Sequence, residues 1–321
     1  MKEIGGYFEL ELKPGVEKFH LTSYRLKSGR SSLHFIFEHV KPSRVYLPYY
    51  TCDALLEPAI EYGVPYSFYA IDKNLEIHGL PDLKDNELIV YVNYFDIKRD
   101  YVSRLSNFYA DKLIVDCTQS FFLKGNDSSW FFNSCRKFFG VPDGSDLYVP
   151  AGYDLLHGYD ALADNTGFLT DHLIMRFNGD TEKGYPYFKQ NEVLNDSALF
   201  KMSKLSACLL SHVDFNATIQ VRKRNFNYLH DRLKSTNLLD VGDANDPAPV
   251  FYPYLPAQLF EKKKFWDKKL FVPVLWTDCI NRKLSDQFQW EEKISNYLLP
   301  LPVDHRYGKS DMNNLLSLIS L

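Results

Sequence analysis

The stretch LIVDCTQSFF, residues 113–122, and the segment WFFNSCRKFFGVPDG, residues 130–144, decide the fold of this chain. LIVD is a short apolar run that ends in an acid, which predicts a buried parallel strand with Asp116 at its functional end. WFFNSC predicts a second buried strand, and Lys137 follows just beyond it. Because ligands of parallel sheets bind beyond the carboxyl ends of the strands, we expect Asp116 and Lys137 to face one site.

An acid and a lysine in this order suit one kind of cofactor chemistry. The lysine can bond to the aldehyde of pyridoxal 5′-phosphate (PLP), and the acid can keep the pyridine nitrogen protonated so that the ring accepts electrons. Each residue alone has an ordinary explanation, Asp116 as a strand-end turn or helix cap and Lys137 as a solvated lysine. Their order and spacing together favour a PLP site with Lys137 and Asp116 as its catalytic residues.

The same segments carry a family resemblance. DCTQS resembles the D-x-x-Q segment of the DegT/StrS-type sugar aminotransferases, and RKFFGVPDGS resembles the lysine segment of that family. The resemblance implies that Asp116 pairs with the pyridine nitrogen, that Gln119 lies near the ring hydroxyl, and that Lys137 is both the cofactor anchor and the proton carrier.

The family resemblance also implies an architecture. It is the α/β fold of the PLP-dependent transferases of fold type I, with a large domain whose mixed, mostly parallel sheet is sandwiched by helices. A small α+β domain follows at the C-terminus. The order of the segments places the large PLP-binding domain at residues 1–215 and the small domain at residues 216–321.

The segment SGRSSL, residues 28–33, precedes an apolar run of helical character. The first N–H groups of a helix have no partner within the helix, so they bind anions well. The segment resembles the family's phosphate turn, which implies that Gly29, Arg30 and Ser31 bind the cofactor phosphate. The alternative is a capped helix start without a ligand.

The residue that stacks on the cofactor ring departs from the family pattern. In many members an aromatic residue follows the threonine of V-x-x-P-x-x-T-x-x-A, whereas Cys52 follows Thr51 in this chain. We expect Tyr50 to be the substitute that contacts the cofactor, with Tyr49 as the alternative, although either ring could equally be a packing residue.

In the wider fold-type-I group a serine three residues before the lysine contacts the cofactor phosphate, so the resemblance implies this role for Ser134, whose hydroxyl can donate to a phosphate oxygen. Asn133 is the fallback, and the family more often has its serine further upstream, where Phe132 stands here. The family's glycine-tyrosine-asparagine-arginine motif, part of which reaches the neighbouring subunit's cofactor, has no clear counterpart. Candidates for similar contacts are Arg176, Tyr187 and Asn191.

Composition restricts the class of protein. The 321 residues carry a net charge of -4, so nothing indicates a nucleic-acid footprint. The five cysteines are scattered and form no C-x-x-C pair, which indicates reduced thiols and no metal site. The N-terminus lacks the apolar core of a signal peptide, and no window is long enough to span a bilayer. We therefore expect a cytoplasmic protein that binds neither nucleic acid nor membranes.

Local patterns give four further expectations. Alternation at residues 8–12 suggests a short strand, and FVPVLW, residues 271–276, suggests another. The basic run at residues 222–224 is predicted to be a solvated helix face. Residues 305–306 are predicted to form a surface turn, although family analogy could place them near the active site.

The resemblance implies a PLP-dependent aminotransferase. The amino donor would be glutamate or a similar amino acid, and the acceptor a nucleotide-linked keto-sugar for cell-surface polysaccharide or related sugar biosynthesis. A homodimer with each active site at the interface is implied. Lys137 favours transamination over the family's dehydratase branch, which has a histidine there. Two alternatives stay open: another fold-type-I activity such as a lyase or decarboxylase, and a degenerate member that binds without turnover.

Overall fold

A seven-stranded sheet organises the part of the chain that the computed structural model describes, namely residues 6–8, 10–242, 247–282 and 286–319. Its strands are β1 (Tyr24–Leu26), β2 (Arg44–Pro48), β3 (Tyr66–Tyr69), β4 (Glu87–Val92), β5 (Leu113–Asp116), β6 (Trp130–Phe132) and β7 (Ser145–Tyr148). They lie in the order β1-β7-β6-β5-β4-β2-β3. Strands β2 to β6 pair in parallel, and β7 runs antiparallel to both of its neighbours. The predicted mixed, mostly parallel sheet is confirmed.

The central strands are apolar because the sheet is covered on both faces. Every residue of β4 (ELIVYV) and of β5 (LIVD) is buried, as expected for parallel strands packed between helices. The register pairs Val92 with Asp116 and Asp116 with Phe132. The carboxyl ends of β4, β5 and β6 therefore lie side by side, at the edge where such sheets bind ligands.

Helices connect and cover these strands. Within the described ranges they are α1 (Gly29–Val40), α2 (Glu57–Glu61), α3 (Arg99–Tyr109), α4 (Leu156–Asp160), α5 (Asp171–Phe177), α6 (Thr181–Leu194), α7 (Lys204–Leu210), α8 (Phe215–Leu233), α9 (Lys262–Asp267), α10 (Asp278–Arg282), α11 (Gln289–Tyr297) and α12 (Lys309–Ile319). Helix α1 packs on β6 and β7, and α3 packs on β5. No helix in these ranges is long and apolar enough to cross a membrane.

The C-terminal part contains a second, antiparallel sheet of β8 (Phe251–Tyr254) and β9 (Leu299–Pro302). Helix α8 packs against β8 and α12, which agrees with the expected α+β composition of this region. One apolar cluster nevertheless includes Leu47 from the large sheet and Leu299 from β9. The division into residues 1–215 and 216–321 stays a prediction.

Two predicted strands are wrong. The described residues around positions 8–12 form no strand, and Phe8 is 93% exposed, because alternation without a partner strand stabilises nothing. Residues 271–276 are also irregular. Trp276 has a left-handed φ of 51°, which an extended strand cannot include.

The predicted solvated face at residues 222–224 is wrong for Arg222, whereas Arg224 is exposed as predicted. Arg222 is 1% exposed and not solvated. Its Nη1 donates to Pro249 O at 2.7 Å, and its Nη2 donates to Phe138 O at 3.2 Å. Burial lowers the pKa of the guanidinium to about 10. The sequence does not reveal the burial of Arg222, because Phe138, one of its partners, lies far away along the chain.

Candidate active site

Lys137 and Asp116, the two predicted catalytic residues, converge on one threonine. Lys137 is the last residue of a 3₁₀ turn, Cys135–Lys137, that follows β6. Lys137 Nζ donates to Thr118 Oγ1 at 3.1 Å, and Thr118 N donates to Asp116 Oδ1 at 2.7 Å. The lysine side chain is exposed, whereas Asp116 is buried at the end of β5. The amine and the carboxylate are therefore connected at the carboxyl edge of the sheet.

The environment of Asp116 prepares it for a cationic partner. Burial raises the pKa of its carboxyl group, while the charge of Lys137 and hydrogen bonds from Thr118 lower it. A buried carboxylate is costly unless a positive group compensates it. A protonated pyridine nitrogen would be such a group, so the charge balance of this site suits a PLP ring.

Gln119 supports a strained turn after β4. Its Oε1 accepts from Phe95 N at 3.0 Å. Phe95 and Asp96 have φ angles of 53° and 60°, which is a costly conformation for residues other than glycine. Arg99 and Ala248 N bind the Asp96 carboxylate and help to hold this turn. The predicted place of Gln119 near the ring hydroxyl stays a prediction.

Gly29 begins α1 at a point where the helix touches β6. A Cβ atom on Gly29 would lie 3.2 Å from Phe132 Cε2, so a side chain would crowd the end of that strand. Ser28 is the N-cap, and its Oγ accepts from Ser31 N at 3.0 Å. The start of α1 is thus capped and packs closely against β6, the strand that leads to Lys137. A phosphate contact of Gly29 stays a prediction.

The side chains of Arg30 and Ser31 bind a neighbouring segment of the same chain. Arg30 Nη1 donates to Asn195 O at 2.5 Å, and Ser31 Oγ donates to Ala198 O at 2.8 Å. The segment after α6 therefore lies against the start of α1. Phosphate contacts of Arg30 and Ser31 stay predictions, and the helix dipole at this end favours an anion in any case.

Ser134 is better placed for a ligand than its fallback. It precedes the Lys137 turn, and its hydroxyl makes no capping hydrogen bond to that turn in the described residues. Asn133 Nδ2 instead donates to Asp146 Oδ2 at 3.2 Å and lies 3.1 Å from His20 Nε2. Asn133 thus belongs to a buried polar network, and Ser134 remains the predicted phosphate contact.

Cys52 lies in the site, whereas Tyr50 lies in the core. Burial raises the pKa of the Cys52 thiol, and the nearby charges of Lys137 and Asp116 act on it in opposite directions. Tyr50 has no exposed surface; its ring is stacked 5.6 Å from Tyr94 and meets Trp276 edge-on at 4.5 Å. The packing does not favour Tyr50 as the stacking partner, and its predicted contact with the cofactor stays untested.

Several residues near the site escaped the sequence reasoning. Thr118 could have been found, because an acid two residues before a threonine commonly forms a turn of this kind. Glu192 gives no local signal, although its carboxylate binds Arg136. Among the candidates for the missing motif, Asn191 is buried and its Nδ2 donates to Pro142 O at 2.8 Å, which is a structural role.

Residues 305–306 form the predicted turn and Arg306 is exposed, but the His305 ring lies 5.9 Å from that of Phe139 in the lysine segment. His305 is half-buried, and burial lowers the pKa of its imidazole. The C-terminal part of the chain therefore packs directly against the segment that carries Lys137.

Comparison with known proteins concerns the fold. No protein-family model matches the sequence, and no curated protein matches it either. Solved structures do match. A DegT/DnrJ/EryC1/StrS aminotransferase from Brucella abortus matches with a TM-score of 0.63 at 14% identity, over 92% of this chain and 84% of that chain. The sugar aminotransferase CalS13 from Micromonospora echinospora matches with a TM-score of 0.62 at 14% identity, over 92% and 86%.

A third matching structure contains the cofactor PLP. A GDP-4-keto-6-deoxymannose-3-dehydratase with a trapped PLP–glutamate geminal diamine matches with a TM-score of 0.61 at 12% identity, over 92% of this chain and 87% of that chain. Identities this low establish the fold alone. The protein therefore has the fold of the DegT/StrS-type sugar aminotransferases, which is PLP-dependent transferase fold type I.

Proposed function

We propose that the protein is a PLP-dependent aminotransferase that moves an amino group from glutamate, or a similar amino acid, to a nucleotide-linked keto-sugar. The observation that carries the proposal is the connection of Lys137 through Thr118 to Asp116, at the carboxyl edge of a fold shared with sugar aminotransferases. The reaction would serve the biosynthesis of cell-surface polysaccharides or related sugars.

PLP would supply the electron sink for this reaction. Lys137 would anchor the cofactor through its amine and then carry a proton between the substrate carbon and the cofactor. Asp116 would place a negative charge beside the pyridine nitrogen, in a buried position where that charge acts strongly. The start of α1, with Gly29, would hold the phosphate.

Cys52 gives a second candidate function some support. A thiol cannot provide the broad ring surface that an aromatic side chain offers to PLP, and the ring of Tyr50 is fully buried. A protein that binds the cofactor or a sugar nucleotide without turnover is consistent with this difference. The donor-dependent step of the test below distinguishes the two functions.

We also infer a homodimer with each active site at the interface. Lys137 is exposed in the single chain, and a reaction that must exclude water needs cover at that point. The α5–α6 region carries large exposed apolar side chains, among them Phe177 at 89% and Val193 at 76%. Such surface is typical of contacts between subunits. The five free cysteines support a cytoplasmic location.

The test is the visible absorbance of the purified protein with added PLP, before and after glutamate. We expect a yellow band from lysine-bound cofactor that shifts to shorter wavelength when glutamate donates its amino group. Lys137→Ala should lose the band, whereas Lys124→Ala, a control elsewhere on the surface, should keep it. A band that survives in Lys137→Ala contradicts the assignment, and a band that ignores every amino donor favours the non-catalytic alternative.

The dimer has its own measurement. Light scattering should give a mass of about twice the 37.4 kDa chain. A monomer that still transaminates would contradict the shared active site.

A further inference from the structure

Arg136, the residue directly before Lys137, binds a carboxylate from a distant helix. Its Nη1 donates to Glu192 Oε1 on α6, and the arginine side chain is only 14% exposed. Arg30 Nη1 lies 3.5 Å from the backbone oxygen of Glu192. Because Arg30 belongs to the first turn of α1, Glu192 lies between the lysine segment and the helix start that is predicted to bind phosphate.

Polar atoms beside this cluster have incomplete partners. Arg30 Nε lies 2.9 Å from Glu57 Oε2, but within the described ranges it lacks the alignment of a hydrogen bond. Asn195 Oδ1 is buried and has no hydrogen-bond partner among the described residues. Buried polar atoms are rarely left without a partner in proteins. Arg30 Nε is thus held by the charge of Glu57, and Asn195 Oδ1 can accept a hydrogen bond from a donor such as water.

The charges around Glu192 are arranged for an anion. Burial alone would raise the pKa of its carboxyl group, but Arg136, Lys137 and Arg30 outweigh burial and lower it. The Glu192 carboxylate is thus held ionised by three cations. A phosphate monoester carries the same sign of charge and more of it, so these cations would attract it as well.

We propose that Arg136 and Arg30 form a cation pair that binds the phosphate of the cofactor, and that Glu192 competes with this phosphate for Arg136. This inference rests on the proposed function, because it takes Lys137 as the cofactor anchor. It adds Arg136 and Glu192 to the residues expected to govern cofactor binding. It also supplies a phosphate contact in a chain where Phe132 replaces the family's upstream serine.

The experiment compares PLP with pyridoxal, which lacks the phosphate. Each compound is titrated into wild type, Glu192→Gln and Arg136→Gln, and binding is followed by visible absorbance. Glu76→Gln is the matched control for Glu192→Gln, because Glu76 also pairs with two cations, Lys98 and Arg104, and the two substitutions change the net charge by the same amount. Thermal unfolding of each variant confirms that it is folded.

We expect Glu192→Gln to bind PLP about tenfold more tightly and Arg136→Gln to bind it about tenfold more weakly. A tenfold change in affinity is a usual size for the coupling between two groups that compete for one partner. Pyridoxal binding should stay within about twofold of wild type in both variants, and Glu76→Gln should change neither ligand. Unchanged PLP affinity in Glu192→Gln, or equal changes for PLP and pyridoxal, would overturn the proposal.

Failure of the proposed function is distinguishable from failure of this inference. If the wild type does not attach PLP through Lys137, the proposed function fails, and protection from thermal unfolding by inorganic phosphate then tests the cation pair. Stronger protection of Glu192→Gln and weaker protection of Arg136→Gln would still support the pair. Equal protection of all variants, or none, would overturn it.

Discussion

Gly144→Ala is expected to destabilise the protein and to disturb the lysine turn. Gly144 has a φ of 122°, and an added Cβ would lie 2.9 Å from Met202 Cε and 3.1 Å from Cys135 Sγ. A side chain in this part of backbone space costs about 1–3 kcal/mol, and overpacking of a filled core costs about 1–3 kcal/mol more. The expected loss of unfolding free energy is therefore about 2–6 kcal/mol, towards the lower end if the flexible end of Met202 moves aside.

The loss should reach the active site as well as the fold. Cys135 N donates to Gly144 O at 2.9 Å, and Cys135 begins the turn that ends at Lys137. Gly144 N also donates to Lys27 O at 2.7 Å, just before α1. Displacement of Gly144 would thus move both the lysine and the predicted phosphate turn, so PLP binding should weaken together with stability.

Gly140→Ala in the same loop is the matched control. A Cβ on Gly140 would meet only Leu173 Cδ2, at an ordinary contact distance of 3.9 Å, so we expect a change within about 0.5 kcal/mol. Urea denaturation measures the free energy of unfolding, and PLP titration measures the site. A Gly144→Ala protein as stable as Gly140→Ala would refute the strain and crowding inferred from the structure.

Three further predictions follow from single residues. Asp116→Asn should lower the transamination rate about 10²–10³-fold, yet raise stability, because burial raises the pKa of Asp116 and the ionised carboxylate costs folding energy. The gain in stability of Asp116→Asn over wild type should be absent below the unfolded pKa of 3.8 and grow as the pH rises towards the raised pKa of Asp116 in the folded protein. Denaturation of both proteins at about pH 4 and about pH 8 would test this. Arg222→Ala should cost about 2–5 kcal/mol in urea denaturation, because it leaves two buried carbonyl groups unpaired, while Arg224→Ala on the exposed face should cost under about 0.5 kcal/mol. Asp143→Asn should cost about 2–4 kcal/mol in the same assay, because the buried carboxylate accepts four hydrogen bonds and an amide can accept only part of them.

Each of these three predictions has a result that would contradict it. An Asp116→Asn protein whose stability relative to wild type is the same at both pH values would mean that the carboxylate pays no burial cost. Equal losses in Arg222→Ala and Arg224→Ala would mean that the contacts of Arg222 with Phe138 and Pro249 do not hold in solution. Full stability of Asp143→Asn would mean that the turn before Gly144 is held by other contacts.

The sequence predicted the sheet well because local pattern and tertiary environment agree there. Apolar runs such as LIVD can be buried on both faces only in a covered parallel sheet, so the strands and their functional ends followed from the pattern. Alternation at residues 8–12 failed, because a strand also needs a neighbour to pair with. Phe95 and Asp96 have left-handed φ angles although neither is a glycine, and only the structure shows that Gln119 and Arg99 hold the resulting strained turn.

The sequence by itself determined which apolar runs form the buried strands, that Asp116 and Lys137 follow strand ends, and that α1 begins with a cap. These depend on interactions between residues that are close along the chain. Only the tertiary structure decided that Arg222 is buried, that Tyr50 packs in the core, and that Glu192 meets Arg136. Each of these outcomes depends on which distant segment arrives at a given surface. Burial and charge pairing are properties of that meeting, and no local pattern encodes them.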